Sequence, residues 1–205
     1  MNALILVDIQ NDFVPGGSLA VPDGDAIIPL VNELQASFPL VVATQDWHPS
    51  GHKSFASSHA GKKIFERIDL HGLEQVLWPD HCVQGSEGAA FHPALQMQNV
   101  EAIFRKGMDR EIDSYSGFYD NGGRKSTGLA GYLRERKVSK VFVCGLAADY
   151  CVAFTARDAL RENFGTFIIA DATRPIDANG FQRASSEIMG MGGNVIESSQ
   201  LYRHI

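Results

Sequence analysis

Two groups of residues in the 205-residue chain have the types and spacing that chemistry needs. The first centres on a thiol: Cys151 closes the run Gly145-Leu-Ala-Ala-Asp149-Tyr-Cys151, at the expected start of a helix. Helix N-termini lower a thiol pKa from about 8.5 toward roughly 3.5–7.5, and their free N–H groups suit an oxyanion. Asp149, two residues earlier, stands where an N-cap would. Cys151 therefore reads as a nucleophile, against the plainer alternative of a buried structural cysteine. Cys144 ends the apolar run Val-Phe-Val and reads as a small buried hydrophobe, while Cys82 is either a metal ligand or inert packing.

The second group has metal-ligand character. Asp46-Trp-His48 sets a carboxylate and an imidazole two residues apart, which on an extended segment puts both on one face. His81 could close a three-ligand site of the kind that holds zinc, iron or manganese and leaves positions open for water or substrate. His52 lies close by; His59, His71 and His92 read as surface loop histidines. With histidine assigned to metal, Asp8 is the best remaining base and Lys106 the best electrostatic partner, although spacing alone leaves both roles open.

These side chains need a scaffold that brings them together. Short apolar runs at Ala3–Val7, Leu40–Thr44, Glu101–Arg105, Lys140–Cys144, Thr166–Ala170 and Asn194–Glu197 are expected strands. Between them, helical patterns cover Ala26–Ser37, Ser126–Lys137, about Cys151–Asn163 and about Asn179–Met191. Pro29 fits only the first turn of its helix. Such alternation predicts an α/β fold, a three-layer α/β/α domain spanning 1–205 with a mostly parallel, Rossmann-like six-stranded sheet. Ligands of open α/β sheets bind at the carboxyl ends of strands. Asp8, Asp46 with His48, Lys106, the turn leading to Cys151, and Asp171 all follow strands at that edge. A single strand-end Asp is as readily a turn cap; five such positions together mark a site. The stretch 45–99 interrupts the alternation, with at most a short helix or turn around Leu73–Leu77, and holds six of the seven histidines. A loop of that length is expected to be functional.

Composition narrows the classes. At 44% hydrophobic the chain can bury a core, and Lys plus Arg number 18 against 24 acids, a net charge of −6. That balance disfavours nucleic-acid and anionic-membrane partners, which demand clustered positive charge. Three cysteines make a disulfide framework improbable, and no apolar run has the length of a signal core or a membrane span, so a cytoplasmic enzyme is expected.

The motifs as a set resemble the nicotinamidases (pyrazinamidases) of the isochorismatase-like cysteine-hydrolase superfamily. Asp8-Ile-Gln-Asn-Asp12-Phe13 resembles the opening motif, and Asp46-Trp-His48-Pro with Trp78-Pro-Asp-His81-Cys82-Val the metal motif. Arg105-Lys106-Gly107 with Tyr115-Ser-Gly-Phe118 carries the lysine, and Gly145-Leu-Ala-Ala-Asp149-Tyr-Cys151-Val resembles the nucleophile motif. They occur in family order across most of the chain. One departure is Ser54, six residues past His48, where one branch has histidine; the shell is then completed through Ser54 and water, by His52, or by neither.

The resemblance implies a triad of Asp8, Lys106 and Cys151, with the thiolate attacking the carboxamide of nicotinamide in NAD salvage, and pyrazinamide as a second substrate. It also implies an oxyanion site at the N–H groups of Ala147 and Cys151, beside a cis peptide between Leu146 and Ala147. One divalent ion, zinc ahead of iron or manganese, would be held by Asp46, His48 and His81 and orient the ring nitrogen. Phe13 and Trp78 would flank the ring and Tyr115 close the pocket, the alternative for these aromatics being ordinary core packing. Oligomeric state, homo-oligomer included, stays open. Competing readings are a carbamoyl or ureido amidohydrolase, which the metal motif disfavours, and an isochorismatase proper, which Cys151 disfavours. A zinc hydrolase using metal-activated water and a non-catalytic binding protein on the same fold complete the set.

Overall fold

Alternation along the first strand sets the layers. In β1 (Asn2–Val7) residues Ala3 to Val7 are fully buried. Leu4 and Leu6 enter one apolar cluster, while Ala3, Ile5 and Val7 enter a second on the opposite face. Burial on both faces is the condition of a central parallel strand. The computed structural model describes residues 1–205. The remaining strands are β2 (Val41–Asp46), β3 (Arg67–Leu70), β4 (Leu73–Val76), β5 (Val100–Lys106), β6 (Lys140–Leu146), β7 (Gly165–Arg174) and β8 (Asn194–Ile196). Six of them form one sheet in the order β5-β2-β1-β6-β7-β8, with every neighbouring pair parallel.

The helices are α1 (Ile28–Gln35), α2 (Leu129–Glu135), α3 (Ala153–Arg161) and α4 (Ala178–Gly190). Ile28, Val31 and Leu34 of α1 pack with Leu4 and Leu6. Leu129, Leu133, Ala156, Ala159 and Ile188 of the other three helices pack with Ile5 and Val7. The three-layer expectation therefore holds, with Pro29 in the first turn of α1. The chain builds outward from β1 to β2 and β5, then returns to place β6 against the other side of β1. That reversal opens a crevice beyond the carboxyl ends of β1 and β6, where ligands of such sheets bind.

Two local expectations need correction. Leu73–Leu77 is neither helix nor turn: Leu73–Val76 is β4, antiparallel to β3 in a hairpin. The connecting His71 and Gly72 both have positive φ, 55° and 83°, as a tight hairpin turn demands. Asp171 does not close a strand at the site edge but lies inside the longer β7, where its carboxylate accepts the backbone N–H and hydroxyl of Ser198. No helix is long and apolar enough to cross a membrane.

Candidate active site

The catalytic side is built by the sheet itself. Asp8 follows β1 in a left-handed conformation, φ 48°, and is fully buried. Next to it runs Gly145 of β6, where a Cβ would stand 2.1 Å from the Val7 carbonyl; only glycine lets β6 pass this close. Beyond Gly145 the Leu146–Ala147 peptide is cis, and the chain enters a wide π-helical turn, Ala148–Val152, that carries Cys151 into α3. Asp149 does not cap this helix. Its carboxylate accepts the N–H groups of Ile176 and Asp177 instead, tying the turn to the loop before α4.

Lys106 ends β5 in register with Asp46 of β2, and its side chain is completely buried. The ammonium lies 2.9 Å from Asp8 Oδ2 and 3.0 Å from Asp46 Oδ1. It also donates to the Ser114 carbonyl at 2.9 Å and approaches Cys151 Sγ at 3.5 Å. Burial opposes its charge, but Asp46 and Asp8 hold it well above an ordinary lysine pKa. Asp8 is pulled both ways: burial raises its pKa, and Lys106 counteracts without reversing the shift. Its Oδ1 accepts the Thr44 hydroxyl at 2.6 Å. Its Oδ2 is the oxygen that faces the Lys106 ammonium.

The Cys151 thiol is not depressed as the helix-start argument expected. Burial pushes it well above the ordinary thiol value, and Asp8 and Asp46 add to the rise against the pull of Lys106. Cys151 and Asp8 thus meet the same Lys106 ammonium inside one buried cluster, an arrangement for proton transfer within the site.

The metal side is built largely by the insert. His48 Nδ1 lies 2.9 Å from the Gly107 carbonyl and His81 Nδ1 2.8 Å from that of Pro79. A carbonyl only accepts, so each ring donates from Nδ1 and turns its Nε2 toward Asp46, whose carboxylate, despite burial, holds His48 above its ordinary pKa. Those two nitrogens stand 3.0 and 3.4 Å from Asp46 Oδ2. Three converging ligand groups, all buried, with the two imidazoles oriented by the Gly107 and Pro79 carbonyls, fit a divalent cation. Gly107 (φ 66°) is required here, since a Cβ would fall 2.4 Å from the His48 ring. His52 stands outside the Asp46–His48–His81 set but groups with His48 and Asp113 in a second buried set of converging ligand atoms. Its Nε2 meets the Asp109 carbonyl at 2.7 Å, while its Nδ1 accepts from the N–H of Ser54 and contacts the Ser54 hydroxyl at 2.7 Å. Burial and the neighbouring His48 lower its pKa, so Ser54 and His52 engage each other. His59, His71 and His92 stand outside the cluster.

Both sides open on one cavity, lined by Phe13, Asp46, Trp78, His81, Tyr115, Ala147 and Cys151. It also exposes Leu19, Asp113, Tyr150 and Ile176, which the sequence reading did not single out. Asp113, 2% exposed, accepts from Gln75 of β4 at 2.9 Å. Gln75 also meets the Tyr115 hydroxyl, as does the Trp78 indole N–H, each at 3.2 Å. A buried glutamine on one face of the hairpin is the signal, and it is legible only when Leu73–Val76 is read as a strand. Thr44 had a signal too, as the one polar residue closing the apolar run Leu40-Val-Val-Ala.

A parallel α/β sheet brings a cysteine, an aspartate and a lysine together at its switch point, and comparisons with known proteins show the family to which this fold belongs. The isochorismatase domain model matches residues 2–200. A nicotinamidase of Acinetobacter baylyi is 50% identical over 200 residues, covering 97% of this chain and 94% of the relative. A solved nicotinamidase/pyrazinamidase structure from Acinetobacter baumanii superposes with a TM-score of 0.95 at 49% identity, covering 98% of this chain and 97% of that one. The pyrazinamidase of Pyrococcus horikoshii, solved in complex with zinc, gives a TM-score of 0.79 at 38% identity over 96% and 98% of the two chains. The chain belongs to the isochorismatase-domain family, in its nicotinamidase branch.

Proposed function

We propose that this protein hydrolyses nicotinamide, and pyrazinamide by the same route, to the ring carboxylate and ammonia through a Cys151 thioester, serving NAD salvage. The observation that carries the reading is the single buried Lys106 ammonium in contact with Asp8 and Asp46 and 3.5 Å from the Sγ of Cys151, a residue that lines the aromatic cavity. Asp8 takes the thiol proton, and the thiolate attacks the carboxamide carbon. The N–H groups of Ala147 and Cys151 receive the oxyanion. Collapse expels the amine, which leaves as ammonia with the proton from Asp8. Asp8 then deprotonates a water that attacks the thioester, releasing the acid and restoring the thiol. Lys106 keeps Asp8 ionised at the start of each half-reaction.

Asp46, His48 and His81 are the residues to hold a divalent ion, zinc first and iron or manganese as alternatives. Such an ion supplies a Lewis-acid contact for a ring nitrogen. Phe13 and Trp78 flank the ring, and Tyr115 closes the cavity. The relatives' names and the zinc-bound pyrazinamidase support this assignment. The test is ammonia release from nicotinamide by wild type and Cys151→Ala, each after metal analysis. Wild type is expected to turn over and Cys151→Ala to lose at least about 10⁴-fold. Equal rates would overturn the thioester and favour metal-activated water; an inactive, metal-replete wild type would overturn the substrate.

A further inference from the structure

We propose that Thr44 is a positioning residue for the general base: its hydroxyl holds Oδ1 of Asp8, leaving Oδ2 as the oxygen that exchanges protons. This rests on the Asp8–Cys151 reading above and goes beyond it, since Thr44 belongs to no motif that carries the resemblance. Thr44 is fully buried in β2, two residues before Asp46, and pairs with Val7 across the parallel ladder. It grips Asp8 twice. The Thr44 carbonyl accepts the Asp8 N–H at 3.3 Å, and the hydroxyl donates to Oδ1 at 2.6 Å.

A hydroxyl has one hydrogen. Given to Oδ1 in a short bond, it is charge-assisted and favours the ionised carboxylate, in line with the lowering that Thr44 exerts on Asp8. The other oxygen, Oδ2, meets only the Lys106 ammonium at 2.9 Å, with Asp46 and Cys151 the further titratable groups acting on Asp8, so the two carboxylate oxygens are made unequal. The threonine is itself fixed. Its branched side chain has stiff χ1 preferences, and a Cβ on Gly117 would come within 2.6 Å of its methyl group. Gly117 in turn accepts from Thr127 at 2.7 Å and donates to Thr155 at 2.9 Å. Packing alone would be served by valine, which has the same shape. The hydroxyl is the feature that only Asp8 uses.

The test compares wild type, Thr44→Val and Thr44→Ser in nicotinamide hydrolysis across pH, with melting temperatures for all three. Thr44→Val is expected to lower plateau kcat about 10-fold or more, as for loss of a hydrogen bond to a charged group, with KM within about twofold. Its acid limb of kcat/KM should move to higher pH, because Asp8 loses a bond that favours its charged form. Thr44→Ser should restore both within about threefold, since it keeps the donor. A Thr44→Val enzyme with wild-type kcat and an unmoved limb would overturn the proposal. So would a loss that Thr44→Ser shares and that tracks melting temperature without any limb shift. Should wild type leave nicotinamide untouched, the substrate reading has failed, not this one. The pH dependence of Cys151 alkylation by iodoacetamide then serves as readout: the same upward displacement of the acid limb is expected, and identical profiles would contradict the role.

Discussion

The two ends of the cavity are made by different means. Asp8, Lys106 and Cys151 stand on or just past sheet strands, and every one is held by the ladder, by glycines that admit close approach, or by neighbouring side chains. Trp78, His81 and the loop face of His48 come from the stretch between β2 and β5. That stretch is fixed by isolated bridges and backbone bonds such as His48 N–H to the Cys82 carbonyl at 2.9 Å. The Asp8–Lys106–Cys151 end is electrostatically nearly self-sufficient: Lys106 sits between two carboxylates. The other end turns two imidazole nitrogens toward one Asp46 oxygen, at 3.0 and 3.4 Å, and that carboxylate, despite burial, holds His48 above its ordinary pKa. Rigid strand ends suit bond-making, which tolerates little displacement. A loop whose ligand groups converge suits binding, and the Lys106–Asp46 pair joins the two ends.

That division can be broken most severely at the shared residue. Lys106→Met should cut kcat/KM by about 10³-fold or more and also raise zinc affinity, because the cation competing for Asp46 is gone. It should lower stability by about 3–5 kcal/mol, as expected when buried carboxylates lose their counter-ion. Turnover, zinc titration and denaturant unfolding check the three parts. A variant that loses activity but keeps zinc affinity and stability would detach the two ends from each other. A smaller, one-sided effect is expected from His81→Ala: zinc affinity down by about 100-fold or more, with KM rising more than kcat falls. A dominant loss in kcat would instead move the metal into the chemistry.

Alkylation gives the mildest test, in metal-depleted protein. Cys82 and Cys144 are wholly buried, and Cys151, 7% exposed, lines the cavity. Iodoacetamide should therefore mark Cys151 alone. Because burial raises that thiol's pKa, the rate should climb as pH rises above neutrality, the thiolate being the reactive form. Peptide mapping that finds Cys82 or Cys144 labelled first, or a rate flat with pH, would contradict this picture of the site.

The same contrast explains what could be read from the residues. Strand ends are legible because apolar runs such as Ala3–Val7 announce themselves, and the residue that follows is then on the sheet edge. Asp8, Asp46, Lys106 and Cys151 were all found in this way, and the structure gathers them. Asp171 misled because its strand runs on to Arg174 past the apolar segment. Asp149 misled because a side chain beside a helix start can as well reach a distant loop, here Ile176 and Asp177. In the insert, composition gave the ligands but not their supports. Gln75 and Asp113 meet across 38 residues, and nothing local encodes such a contact. The direction of the Cys151 shift was equally hidden, since it depends on how deeply the turn is buried.

The central claim is that the bond is broken by the cysteine at the strand ends and not by water at the metal end. The most direct measurement is the product mixture from nicotinamide with rising hydroxylamine, for metal-replete wild type and Cys151→Ala. A Cys151 thioester predicts nicotinohydroxamate appearing at the expense of nicotinate in wild type, and neither product from Cys151→Ala. Nicotinate as the sole product at every hydroxylamine concentration, or hydroxamate formed equally by Cys151→Ala, would contradict it.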